Sequence, residues 1–568
     1  MRNRHALATA LVFTLVAATA PAFADVTAPT SDSAEFEGGS ASVLRVTTGD
    51  FGRLDGDMKF RYPGVEQTAL AFVQNHIVMI TMEATNERGK APVQCSCTSY
   101  ELTENGPVLK TPLKRLTDYP SGQQRTCNHP KMAADENGNI VWGYGSDYNN
   151  NRPNTYAGII NNKCEHLASP QMVSIPRNAN DGAFDVKYVG GGKFVGAYYS
   201  DGNGEPAFPA EGGDYAVTMG LQIEQTGLLP TLKRTWIEGT LMNGAIMRPT
   251  LEVVGADRAL VAAAQGGNRP AHNVELAMID TNTGKTLWKN YISKGDPGKM
   301  KYFNAPQMAR YNPADPNDKR VVLVDWESDG GGKGTNNKGR STSHLYMLDV
   351  NGDAVNVVSE KIGVAGYQNH ASLCMGGYGE KGARTAGVYT GPARDVGRNM
   401  IAMLGYDDGG KQFTFDEKFD LWPVSYYGGS GMLSNHYGAN PMRQGRDFIN
   451  CMGDVPNPGY GKPNGYMKNV KSFFVAAAHG RVPGSYKNSL FMSLVPGAVD
   501  KKLVPQNALP IGEDPVVDPA ATTEPPAAAE SSGGCGCATP GQAPVSMAGA
   551  LAGLGALGLA LSRRRARR

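Results

Sequence analysis

The chain has 568 residues, with 55 lysines and arginines against 53 aspartates and glutamates and a net charge of +2. Setting aside the seven arginines at its two ends leaves 48 basic residues against 53 acidic ones, a net of −5, which excludes nucleic acid as an electrostatically recruited partner. Residues 25–506, about 480 in all, are enough for one large domain with an extensive core.

Arg2 and Arg4 precede the apolar run Ala6 to Ala20, and Ala22-Phe23-Ala24 supplies the small-x-small pattern that a signal peptidase reads. Residues 1–24 are therefore expected to be a secretory signal peptide. The mature chain is expected to be exported, to a compartment where cysteines can pair. Residues 25–40 are expected to be a flexible segment. Ala41 to Thr47 has the composition of a strand, able to pair with the last repeat of the body and close a ring.

Residues 41–506 repeat one layout. Its clearest copy runs from Phe303 to Val357, where four apolar runs are separated by turn signals: Pro306 to Arg310, Arg320 to Trp326, His344 to Val350 and Ala354 to Val358. Between the second and third runs, Ser328 to Arg340 has no side chains able to form a core and reads as a long exposed loop. Seven copies can be traced, with first strands beginning near Thr68, His129, Ala183, Arg248, Ala305, His370 and Phe448. Repetition at roughly forty to seventy residues is the mark of a propeller or solenoid. The sequence thus predicts an all-β, seven-bladed β-propeller.

In such a blade the connection into the innermost strand and the loop between second and third strands emerge on one face. Here those loops, such as Ser146 to Asn154, Ser200 to Asp214 and Gly391 to Arg398, are rich in Gly, Asn, Asp and Arg. Two finer repeats fall on the same face. Ser-Asp recurs where second strands end, giving Asp147, Asp201 and Asp329. These carboxylates either accept backbone N–H bonds in turns or form a ring holding Ca²⁺, another divalent cation or sugar hydroxyls. Asn128-His129, Asn304, Asn369-His370 and Asn435-His436 precede first strands, so His129, His370 and His436 converge on the channel mouth. They either satisfy loop backbone or ligate a metal, whose identity is unknown. The opposite face, built from short turns such as Glu136-Asn137-Gly138 and Gly190-Gly191-Gly192, is expected to be bare of such groups.

Six cysteines lie in the body: Cys95, Cys97, Cys127, Cys164, Cys374 and Cys451. Cys374 and Cys451 fall at matching positions in the first strands of the last two repeats, where a bridge is expected. Cys95 and Cys97 share one face of a strand, and Cys127 and Cys164 belong to the next repeat, so two further links are expected with connectivity open. A zinc site is not supported, because Cys95-Ser96-Cys97 is tighter than the usual two-residue gap.

Asp280-Thr281-Asn282-Thr283-Gly284-Lys285-Thr286-Leu287-Trp288 resembles the Asp-x-x-Thr-Gly-x-x-x-Trp repeat of pyrroloquinoline-quinone-type propellers. The resemblance implies a hairpin made by the Asp and Gly, and a Trp that docks one blade on the next. It occurs once in a chain with five Trp, so it supports propeller architecture and not a quinone cofactor. No His-Glu-x-x-His, Gly-x-Ser-x-Gly, P-loop or EF-hand pattern is present.

Residues 507–534 are dominated by Pro, Ala, Thr, Glu and Ser and are expected to be a disordered stalk. Residues 535–568 hold Cys535 and Cys537, the apolar run Val545 to Leu561, expected to be a short anchor helix, and the cluster Arg563 to Arg568. This order resembles the MYXO-CTERM sorting tails of myxobacterial surface proteins. That resemblance implies processing near Cys535 or Cys537, lipid attachment and display on the outer membrane at the cell surface. The alternative is an ordinary membrane span with the arginines inside.

The leading expectation is a surface-anchored binding or adhesion module, meeting a polysaccharide or a surface-protein partner on its loop-rich face. The alternative is a secreted polysaccharide hydrolase or lyase with its site at the channel mouth. Two carboxyl groups roughly 5 to 9.5 Å apart across a cleft would mark a glycosidase.

Overall fold

The structure, a computed structural model, describes residues 31–36, 39–45, 51–53, 65–83, 94–119, 127–148, 152–175, 181–200, 215–240, 245–266, 273–294, 301–303, 306–329, 341–366, 372–378, 383–390, 401–407, 413–420, 449–481 and 487–499. Among them the chain is all-β, with no helix. The protein is a β-propeller. Its described strands form seven antiparallel sheets, five of four strands, one of five and one of six.

We number the sheets I to VII in chain order. Sheet I comprises Val65–Val73, His76–Glu83, Gln94–Thr103 and Gly106–Arg115. Sheet II comprises Asn128–Ala134, Ile140–Tyr148, Arg152–Ile160 and His166–Met172. Sheet III comprises Asp181–Gly190, Lys193–Ser200, Tyr215–Thr226 and Leu229–Thr240. Sheet IV comprises Ala245–Val253, Arg258–Gly266, Asn273–Asp280 and Thr286–Lys294. In sheet V the first position is split, Lys301–Phe303 and Gln307–Arg310 both pairing with Arg320–Asp329, followed by Ser341–Asp349 and Asn356–Gly366. Sheet VI comprises Ser372–Tyr378, Ala383–Thr390, Ile401–Asp407 and Phe413–Asp420.

Sheet VII is built from both ends of the body. Ile449–Pro456, Val470–Arg481 and Lys487–Val499 are joined by Gly39–Arg45, whose Val43 pairs with Ser493 and Arg45 with Phe491. The strand expected from Ala41 onward thus takes the place foreseen for it. Ser31–Phe36 adds a further strand on the outside, pairing with Gly39–Arg45, and the short strand Phe51–Arg53 pairs with Lys487–Val499 as the sixth. Residues 25–40, expected to be flexible, therefore contain hydrogen-bonded strand. Ser-Asp-Ser-Ala-Glu-Phe has little intrinsic preference for a strand, and the ladder to its neighbour supplies the order.

The first strands of successive sheets lie against one another. Val65–Val73 touches Asn128–Ala134, and the succession runs through sheets III to VI to Ile449–Pro456, which touches Val65–Val73 again. Between sheets, alternate side chains of one strand serve opposite neighbours. Ile77 and Met79 pack on Phe473 and Val475 of sheet VII, while Val78 and Ile80 pack on Ile140 and Trp142 of sheet II. A strand covered on both faces must be apolar at successive positions, and Ile77 to Ile80 and Val321 to Val324 are all buried. Each such side chain contributes about 2 kcal/mol relative to exposure.

Three disulfides link neighbouring sheets: Cys95 to Cys127 and Cys97 to Cys164 between sheets I and II, and Cys374 to Cys451 between sheets VI and VII. Their Cα separations of 5.6, 5.9 and 5.7 Å suit the bond. The structure settles the connectivity that spacing left open. Residues 1–24, 507–534 and 535–568, with Cys535 and Cys537, lie outside the described residues.

Candidate functional site

The end of a sheet where its first strand starts is its upper end, and the end holding the turn from first to second strand is its lower end. At the upper end of sheet II, Cys127 is tied to Cys95 of sheet I, and Asn128 pairs with Gly145. The register then slips before Lys131 pairs with Gly143. His129 sits inside this bulge with φ of 52°. A bulge of this kind re-aims a side chain away from the regular alternation, and a left-handed histidine costs about 1 kcal/mol of backbone strain that the surrounding clamp must hold. Asp147, paired with Pro153, and Asp329, paired with Lys301, lie at the upper ends of their own second strands. Asn304, Asn369, His370, His436 and Asp201 lie outside the described residues. Among the described residues no three His, Cys, Asp or Glu side chains group in a way that could hold a metal ion.

Polar side chains also stitch first strands together. Asp185 of sheet III is buried and its Oδ2 accepts from Thr250 Oγ1 and the Leu251 N–H of sheet IV, each at 3.0 Å. Two residues on, Lys187 pairs with Glu252 at 3.1 Å. Burial pulls the Lys187 ammonium down, but Glu252 and Asp185 outweigh it and hold the group above its ordinary range. Gly377 donates to Asp454 at 2.7 Å between sheets VI and VII, and Asn450 donates to the Thr68 carbonyl at 2.9 Å between sheets VII and I.

A group absent from the sequence-based expectations is Glu275, third residue of its strand and 4% exposed. It pairs in register with Ala263 and Tyr291, near the upper end of sheet IV. The neighbouring junction with sheet III is filled by the small side chains Ala216, Ala263 and Ala277, with Tyr199 beside them. Burial pushes the Glu275 carboxyl up to about 7, against the opposing pull of the Lys289 charge and a hydrogen bond from Tyr291. Its Oε2 is buried without a hydrogen-bond partner. A carboxyl half-protonated near neutral pH is suited to donate and accept protons. The signal was a lone glutamate between Val274 and Leu276 in an apolar run.

The lower end is not bare of polar groups, contrary to expectation. Asp135 accepts from Asn137 N at 2.9 Å and Asn139 N at 2.8 Å, Glu136 is bonded by the Tyr188 hydroxyl, and Asn162 reaches His76 at 3.3 Å. Short turns need acceptors for their own N–H groups, and these residues supply them or join neighbouring sheets. The hairpin after Asp280 behaves as its sequence implies. Asp280 Oδ1 accepts from Asn282 N and Thr283 N, Gly284 has φ of 77°, and Trp288 Nε1 donates to Gly352 O of sheet V at 3.3 Å. Trp236 repeats the docking from sheet III to Thr281 O at 3.0 Å, although its own hairpin keeps only Thr226-Gly227 of that motif and has Ile223 in place of the Asp.

The chain matches no family model and no curated protein. Among solved structures it is similar to an α-L-arabinofuranosidase from Fusarium graminearum at 8% identity, covering 77% of this chain and 95% of that one with a TM-score of 0.38. The intramolecular trans-sialidase from Ruminococcus gnavus aligns at 10% identity over 78% and 96% with a TM-score of 0.37. A β-fructofuranosidase from Bombyx mori aligns at 9% identity over 76% and 88% with a TM-score of 0.31. Likenesses this distant carry nothing about activity.

Proposed function

We propose that the protein is an exported, seven-bladed β-propeller, held at the cell surface by its C-terminal tail, that binds polysaccharide on the upper face. The cyclic succession of first strands supports the blade count. The observation that carries the binding reading is His129, held left-handed in a bulge beside the Cys95–Cys127 bridge at the start of a first strand. Asp147 and Asp329 stand at the same end of their sheets, where a cation bridging sugar hydroxyls is one role for them.

A glycan-array measurement on the full chain tests this. Binding to a defined polysaccharide that His129→Ala abolishes supports the reading. Asp147→Asn, Asp201→Asn and Asp329→Asn together report on the carboxylates, since the change removes three charges while keeping most turn hydrogen bonds. No binding to any glycan, or binding indifferent to all four changes, overturns it. For the tail, Cys535→Ala with Cys537→Ala should leave the protein unprocessed or release it from the surface. Unaltered display and lipid content would refute the sorting role.

One observation favours the second reading, a polysaccharide hydrolase or lyase. Glu275 is the buried carboxyl whose protonation straddles neutral pH, the property required of a general acid. Release of new chain ends from a bound polysaccharide, lost in Glu275→Gln while binding persists, would establish it. Binding without release in the unaltered protein would dismiss it.

A further inference from the structure

The described residues include eight exposed large hydrophobic side chains. Six of them, Val108, Leu228, Leu229, Leu287, Val357 and Val358, sit within the first three residues of a fourth strand or in the turn before one. Third strands run from the upper to the lower end, so all six fall at the lower end, distributed over sheets I, III, IV and V. Leu228 is 99% exposed at the tip of the hairpin joining Tyr215–Thr226 to Leu229–Thr240, two strands of twelve residues each. Gly227, with φ of 84°, makes the turn that carries it.

We propose that this lower rim rests on a lipid bilayer, with the Leu228–Leu229 tip inserted among the acyl chains. It rests on the reading that the tail anchors the protein to a membrane. Lys487–Val499 also ends at the lower end, where Val499 pairs with Val470, so the chain passes on to residue 500 from the face that carries the aliphatic rim. A protein partner buries a contiguous, shape-matched patch, whereas these side chains stand on separate tips. A fluid apolar surface accepts separate aliphatic tips without matching their shape. With the lower face on the membrane, the upper face with His129 and Asp147 points away from it.

The test uses the full chain on phosphatidylcholine vesicles, reading cosedimentation and amide hydrogen exchange together. Cosedimentation reports the tail. Exchange at 227–229, 106, 108 and 356–358 reports the rim and is expected to slow about tenfold on vesicles. Leu228→Ser with Leu229→Ser should remove the slowing at 227–229 and leave cosedimentation intact. Both positions are exposed, and a β-sheet circular dichroism spectrum checks folding. Cosedimentation without slowing overturns rim docking and spares the anchor. Failure to cosediment overturns the anchor itself, and the rim proposal with it. Slowing in lipid-free solution that grows with protein concentration identifies a second copy as the occupant and also overturns the proposal.

Discussion

Asp185 on the first strand of sheet III accepts the backbone N–H of Leu251 on the first strand of sheet IV, 3.0 Å away across the junction. The same oxygen takes the Thr250 hydroxyl, and Oδ1 takes the N–H of Val186. One buried carboxylate thus serves three donors on two sheets. Asp185→Ala strands them, and the expected loss is about 3 kcal/mol in urea unfolding. Asp185→Asn keeps an acceptor oxygen and should lose less. Equal, negligible losses would show that the junction holds without this contact.

The Glu275 carboxyl gives a pH signature. Its folded value of about 7 lies above the ordinary 4.5, so the folded protein holds a proton that the unfolded chain gives up between those values. Stability from this group is complete below about 4.5 and falls as pH rises through 7, by about 3 kcal/mol in all. Glu275→Gln mimics the protonated form. The melting temperature of the variant relative to wild type should therefore be higher at pH 8 than at pH 5. A constant difference across that range would mean the group does not titrate there.

The bridges make a third case. Replacing Cys374 and Cys451 with serine should lower the urea midpoint by the equivalent of about 4.5 kcal/mol, because a loop of 77 residues is freed in the unfolded chain. Peptide mapping without reductant should recover Cys95 with Cys127 and Cys97 with Cys164. Recovery of Cys95 with Cys164 would contradict the junction described between sheets I and II.

Gly284 and Trp288 separate two contributions within one hairpin. A methyl group at Gly284 would run into the Trp236 ring and would sit on a left-handed backbone, so Gly284→Ala should cost more than about 2 kcal/mol. Trp288→Phe keeps an aromatic ring and loses one bond to Gly352, for about 1 kcal/mol. Thermal melts of the two variants give the order, and the reverse order would place docking above hairpin geometry.

The strands were legible where both faces are covered. Ile77 to Ile80 and Val321 to Val324 announce themselves because every position needs an apolar side chain. Ser31–Phe36 was not legible, since its order comes from pairing and not from composition. Nothing in Asn128-His129-Pro130 dictates a left-handed histidine; the bulge arises from register between two strands. Glu275 was visible as a charge in an apolar run, but its burial depends on Ala216 and Tyr199, which the sequence places roughly sixty and seventy-five residues away on another sheet.

Because Arg45 pairs with Phe491, the last sheet cannot form until nearly the whole body has been made. A chain emerging amino end first holds Gly39–Arg45 in waiting, the edge that meets Lys487–Val499 unmatched, while six sheets assemble behind it. Such distant pairing is slow and leaves an open edge exposed to other chains. Closure is therefore a measure of completeness: a chain that stops short of Lys487 has no seat for its own beginning.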